Sequence, residues 1–174
     1  FVLTVNNTND LPVITSGSGS QAFVNVAENS TLVGTMLATD EDAGTTIFTW
    51  SKTGAGADQG LFTINSSTGQ LSFNSPPDFE APLDSDGDNT YEVEISVSDN
   101  NGGTDSQMVF VTVTNDDEVP TTTGIPNLTV DENAGDQSYN LHAAFDDQED
   151  ADSAMTYLIV GNTNTSLFSS FSIN

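Results

Sequence analysis

The chain has 174 residues, with 26 Asp and Glu against a single basic residue, Lys52, and a formal net charge of −25. Such a surface repels phosphate, which excludes nucleic acid as a partner, and the absence of cysteine excludes disulfides, thiolate chemistry and a Cys-ligated zinc site. No apolar run approaches the roughly 18 residues of a membrane span, so membrane insertion is not expected.

The first run, FVLTVNNTNDLP at residues 1–12, reads as a β-strand leading into an acidic, Asn-rich turn and a proline, and it recurs as VFVTVTNDDEVP at 109–120. Pro12 and Pro120 lie 108 positions apart, and VAENS at 26–30 returns as VDENA at 130–134, setting Glu28 against Glu132. One period therefore has the size of a β-sandwich. Within it, strands are predicted at 22–27, 31–38, 46–51, 61–64 and 69–73, the last two flanking a turn at Ser66–Gly69. In TYEVEISVSD at 90–99, Tyr91, Val93, Ile95 and Val97 alternate with Glu92, Glu94, Ser96 and Ser98, giving one buried and one wet face. SQMVFVTVT at 106–114 is its hairpin partner across Asn100–Gly103. Seven strands and no helix predict an all-β, immunoglobulin-like Greek-key sandwich, repeated in tandem.

Three segments follow from that period. Residues 1–12 are expected to be the last strand and linker of a preceding repeat, 13–118 a complete sandwich, and 119–174 the first part of a second, truncated one. Strands of the second unit are predicted at about 127–131, 137–144, 155–160 and 167–173, the last because LFSSFSIN resembles LFTINSST at 61–68.

An acidic excess can mark disorder, but 35% of residues are hydrophobic and they fall in alternating runs, which favours a folded chain. With one Lys and no Arg, internal salt bridges cannot neutralise the carboxylates. The counter-charge must come from outside, and hard cations take oxygen ligands. Composition thus points to Ca2+. A merely solvated acidic surface is the competing reading, and the ordered spacing of the acidic motifs favours metal.

The ordered set AEN at 27–29, TDEDAG at 39–44, LFTINSSTGQLSF at 61–73, PDFEAPLDSDGDNTYEV at 77–93, SVSDNNGG at 96–103 and NDDEVP at 115–120 resembles cadherin-type repeats, in the form found in large bacterial surface and secreted proteins. VDEN and FDDQEDAD in the second unit look more like the dystroglycan-type relative of that fold. The resemblance implies Ca2+ held between successive domains. One joint would use Glu28, Asp78, Glu80, Asn115, Asp116, Asp117 and Glu118 with Asp146, Asp147 and Asp150; the joint before the first unit would use Asn7, Asn9, Asp10, Asp40, Asp42 and Asp99. The linker departs from the Asp-x-Asn-Asp-Asn run of the animal family, with Glu118 in place of a shorter residue.

DSDGDN at 84–89 sets Asp84, Asp86 and Asp88 at alternate positions around Gly87, like the first half of an EF-hand loop, but the closing position is Ile95 rather than Glu. It reads either as an ion site or as a solvated turn. Trp50 reads as a core aromatic, with sugar stacking as its alternative. His142, the sole histidine, lies on a predicted strand without a nucleophile nearby, and no triad can be assembled. The chain is therefore expected not to be an enzyme.

Together these readings lead to the expectation of a spacer made rigid by Ca2+ and partnered by neighbouring repeats, which the resemblance implies to be extracellular, secreted or cell-surface and part of a bacterial adhesin or biofilm-type protein. The alternative is a sandwich that binds a polysaccharide or a like repeat.

Overall fold

The structure, a computed structural model, describes residues 1–4, 6–42, 47–127, 129, 131–135, 137–148 and 154–161. The chain divides into two compact units, Phe1–Asp116 and Asp117–Asn174.

In the first unit the chain forms β1 (Val13–Ile14), β2 (Gln21–Ala27), β3 (Leu32–Thr35), β4 (Ala38–Thr39), β5 (Thr49–Lys52), β6 (Phe62–Ile64), β7 (Gln70–Phe73), β8 (Thr90–Ser98) and β9 (Thr104–Thr114). A 3-10 turn at Gln59–Leu61 precedes β6. One sheet has the order β2-β9-β8-β5 and the other β3-β7-β6, while β1 and β4 make a short separate ladder. These seven sheet strands form an immunoglobulin-like sandwich.

Alternation decides what lies between the sheets. Tyr91, Val93, Ile95 and Val97 of β8 and Val109, Val111 and Val113 of β9 are buried, and meet Phe62, Leu71 and Phe73 from the opposite sheet in one core. The Tyr91 ring stands edge-on to Phe62 and Phe73, with centroids 6.4 and 5.1 Å away. Its hydroxyl accepts the Leu83 N–H at 3.0 Å, so burying the ring leaves its polar end paired. Trp50 is 4% exposed and belongs to this core, not to a sugar-stacking surface.

β2 runs parallel to β9, with Gln21 opposite Met108 and Ala27 opposite Thr114, while β8 runs antiparallel to β9. The loops are thereby sorted between two ends. An upper end collects residues 9–12, 40–42 and 99–103; a lower end collects Glu28, the 77–89 segment and residues 115–116 after β9.

Several expected strands change. The 31–38 run splits, because the Leu37 N–H donates to Ser16 Oγ at 2.5 Å and its carbonyl accepts the Thr15 N–H at 2.8 Å, turning the chain from β3 into β4. Residues 1–4 are exposed and belong to no strand. The strand expected at 46–51 forms as Thr49–Lys52; Ile47 and Phe48 stand outside it, and residue 46 lies outside the described residues.

The second unit holds β10 (Thr121–Thr122) paired with β11 (Phe145–Asp146). The strand expected at 137–144 does not form. Asn140 accepts the His142 N–H at 3.1 Å and starts a 3-10 turn at Leu141–Ala143, a local side-chain bond that competes with a ladder. His142 thus lies on a turn. Residues 155–160 and the described positions 127, 129 and 131 are also not strands; Leu128, Val130 and 167–173 lie outside the described residues. Alternation marks a face for burial, but a strand needs a partner for its N–H and C=O groups. Among the described residues no helix is long and apolar enough to cross a membrane.

Gly69, in the β6–β7 turn, has φ +71°, and a Cβ there would lie 2.7 Å from the Met36 carbonyl oxygen and 2.9 Å from the Trp50 indole. Gly69→Ala is expected to lower stability by about 1–3 kcal/mol. Urea unfolding followed by Trp50 fluorescence measures this; an unchanged midpoint would show that the turn relaxes freely.

Candidate metal centres

At the upper end the chain enters through residues 7–12 and meets the loop after β4 and the β8–β9 turn. Asp99, at the end of β8, is buried, with Oδ1 accepting the N–H groups of Asn101 (2.7 Å) and Gly103 (2.9 Å) and Oδ2 accepting Asn9 Nδ2 (2.7 Å). The Asn9 side chain, with the backbone N–H groups of Asn101 and Gly103, holds the Asp99 carboxyl below its ordinary pKa. A Cβ at Gly103 would overlap Asp99 Oδ2 and lie 2.9 Å from Pro12 Cδ, so glycine is what lets the linker approach this carboxylate.

Asp42 accepts Asn7 Nδ2 at 2.5 Å on Oδ1 and the Asp10 N–H at 3.0 Å on Oδ2. Asp40 Oδ1 accepts the Asp42 N–H at 2.8 Å, and its Oδ2 is buried without a hydrogen-bond partner. Asn9 Nδ2 also reaches the Asp10 carbonyl at 2.9 Å. All six residues expected at the upper joint therefore belong to one network.

At the lower end Glu28, which follows β2, is buried. Its Oε2 accepts the Phe79 N–H and its Oε1 the Asp116 N–H, both at 2.9 Å. Glu28 and Glu80 offer carboxylate oxygens within 4.8 Å of each other, and Asn115 Nδ2 donates to Glu80 Oε1 at 2.6 Å. Asp78 accepts the Ala81 N–H at 3.0 Å and closes the turn that presents Glu80. The structure thus gathers Glu28, Asp78, Glu80, Asn115 and Asp116.

The remaining residues of that set lie in the second unit. Asp117 and Asp146 are exposed, Glu118 and Asp147 are half-buried, and Asp150 lies outside the described residues.

The DSDGDN loop precedes β8. Asp84, Asp86 and Asp88 offer carboxylate oxygens that all lie within 4.8 Å of one another. Burial alone would raise the Asp84 carboxyl, but the backbone N–H groups of Asp88 and its neighbours outweigh it and hold the group below its ordinary value. The charge of Asp88, followed by contact with Asp84, pushes Asp86 up.

Two aspartates escaped the sequence reading. Buried Asp58 accepts the Ser85 N–H at 2.8 Å and the Glu92 N–H at 3.0 Å, tying the DSDGDN loop to β8; Asp105 accepts the Ile14 N–H at 2.8 Å. Neither sits in a motif, and among so many acidic residues no composition signal separates them.

A family model described as the cadherin domain matches residues 23–114. No curated protein matches the chain. Among solved structures, mouse cadherin-23 EC22–24 superposes with a TM-score of 0.50 at 18% identity, covering 62% of this chain and 33% of that one. Human CDH23 EC21–23 superposes with a TM-score of 0.50 at 17% identity, covering 63% of this chain and 37% of that one. The chain thus spans about a third of each, and at those identities the likeness bears on the fold alone.

Glu28 supplies a sharp test of the lower end. Glu28→Gln replaces one acceptor oxygen by NH2, so whichever way the amide turns, either the Phe79 or the Asp116 N–H faces a donor. The expected loss in metal-free buffer at neutral pH is roughly 1–3 kcal/mol, read by urea unfolding; a variant as stable as the parent would show that these bonds do not hold the lower end.

Proposed function

Because the chain belongs to the cadherin-domain family, whose model it matches over residues 23–114, we propose that its first unit is a Ca2+-rigidified spacer in an extracellular, adhesin-type array. Cadherin domains are extracellular adhesion modules that typically bind Ca2+. The further step places Ca2+ at the upper and lower ends, where it stiffens the links to neighbouring repeats, in a bacterial surface or biofilm-type protein.

The observation that carries this reading is the upper network. It brings together Asn7, Asn9, Asp10, Asp40, Asp42 and Asp99, offers nothing but oxygen for a cation, and leaves Asp40 Oδ2 buried without a donor. Ca2+ takes 6–8 such oxygens, including carboxylates and amide carbonyls, and the donor set fits it. Three asparagines strengthen the fit. Asn7, Asn9 and Asn115 now donate NH2 to Asp42, Asp99 and Glu80, and a half-turn of each amide would present its carbonyl oxygen instead. At the lower end Glu28, Asp78 and Glu80 are the first unit's donors and Asn115, Asp116, Asp117 and Glu118 the linker's, with Asp146, Asp147 and Asp150 the contribution that the family resemblance assigns to the next repeat.

Lys52 adds to the argument. Its Nζ donates to the carbonyl oxygens of Gln59 and Phe62, each at 2.6 Å, so the one basic side chain serves the backbone. The glycan-binding alternative loses its aromatic, since Trp50 is buried.

Thermal unfolding in EDTA, in millimolar Ca2+ and in equal Mg2+ tests the reading. A site filled at 100 times its Kd stabilises by about 2.7 kcal/mol, so a clear rise in Tm is expected with Ca2+ alone. Equal effects of the two ions, or none, would reduce the acidic ends to a solvated surface.

A further inference from the structure

The DSDGDN loop raises a question separate from the joints, because it lies wholly within the first unit. Asp84 is 8% exposed and Asn89 9%, and each keeps a buried side-chain oxygen, Oδ1, that no donor reaches. Several of the loop's N–H groups are already engaged elsewhere. Those of Asp88 and Thr90 go to Asp84 Oδ2 and Asp88 Oδ1, and that of Ser85 goes to Asp58. A solvated turn explains the exposed Asp86 and Asp88, but it does not explain an aspartate oxygen taken out of water without a donor, which carries a large desolvation cost.

Charge sharpens the point. Three carboxylates converge here, and Lys52 is committed to the Gln59 and Phe62 carbonyls. Ca2+ suits such a set, since it takes 6–8 oxygens, carboxylates and waters among them, at about 2.3–2.6 Å in flexible geometry. The three aspartate oxygens fall within 4.8 Å of one another.

We propose that Asp84, Asp86 and Asp88 hold a Ca2+ of their own inside the first unit, at a site that requires no neighbouring repeat. It differs from an EF-hand, since the closing position is Ile95, fully buried in β8, and water completes the shell in place of a bidentate Glu. Asp84 supplies the buried oxygen, Asp86 and Asp88 the exposed ones. Ion binding gives Asp84 Oδ1 the partner it lacks and relieves the repulsion among these side chains.

The proposal goes beyond the joint reading, and counting bound Ca2+ separates the two. Isothermal titration of the full chain is compared with Asp86→Asn and with Asp40→Asn, each first shown by circular dichroism to keep the fold. Asp86 is exposed, so its substitution leaves the core untouched. Asp86→Asn is expected to remove one bound Ca2+ or weaken it by about tenfold or more, the scale on which even supporting groups of metal sites act, while Asp40→Asn retains that ion. This outcome supports the loop site even if the joints bind nothing. Unchanged Ca2+ binding by Asp86→Asn would overturn it, as would the loss of every site at once, which would mean that the loop acts through the fold rather than as a separate site.

Discussion

The interaction on which this sandwich depends is the hydrogen bond from a backbone N–H to a side-chain carboxylate. Glu28 joins the start of one loop to two others, Asp58 holds the 81–89 segment against β8, Asp99 closes the β8–β9 turn, and Asp105 fastens β1 to the start of β9. A chain with 26 carboxylates and one lysine has few other strong donors. Charge-assisted bonds of this kind are stronger than neutral ones, and they turn an electrostatic liability into the means by which loops are placed. They also leave each carboxylate with lone pairs to spare, so the same groups that order the loops remain available to a cation.

Phe79 shows how closely these roles are joined. Its N–H donates to Glu28, and its carbonyl accepts Asn89 Nδ2 at 2.9 Å. Asn89 in turn follows Asp88 and offers its own carbonyl to the Val113 N–H. The lower acidic cluster, the DSDGDN loop and β9 are thus linked through two residues, and order in one part of the lower end supports order in the others.

The strands legible in the sequence were those whose side chains alternate against a full core. The β8–β9 hairpin and the β6–β7 turn form where alternation and turn residues place them. What could not be read was partnership. Nothing in QAFVNVA announces that β2 lies parallel to β9, and in the second unit the Asn140 side chain accepts the His142 N–H where periodicity favoured a strand. The candidate sites divide similarly. The upper six residues were found because they stand in ordered motifs, and the structure brings them into one network. Asp58 and Asp105 went unnoticed because their importance is burial and position, properties that a motif does not carry.

The parallel pairing of β2 with β9 has a mechanical consequence. The chain enters the first unit at the end where β2 begins and leaves it where β9 stops, so a pull along the chain drags these two strands past each other in opposite directions. Their ladder from Gln21–Met108 to Ala27–Thr114 is then loaded in shear, all rungs together, rather than peeled one rung at a time. Such a pull would meet its resistance at that seam, and the stacked rings of Phe23 and Phe110, 5.2 Å apart on the seam's outer face, would have to slide with it.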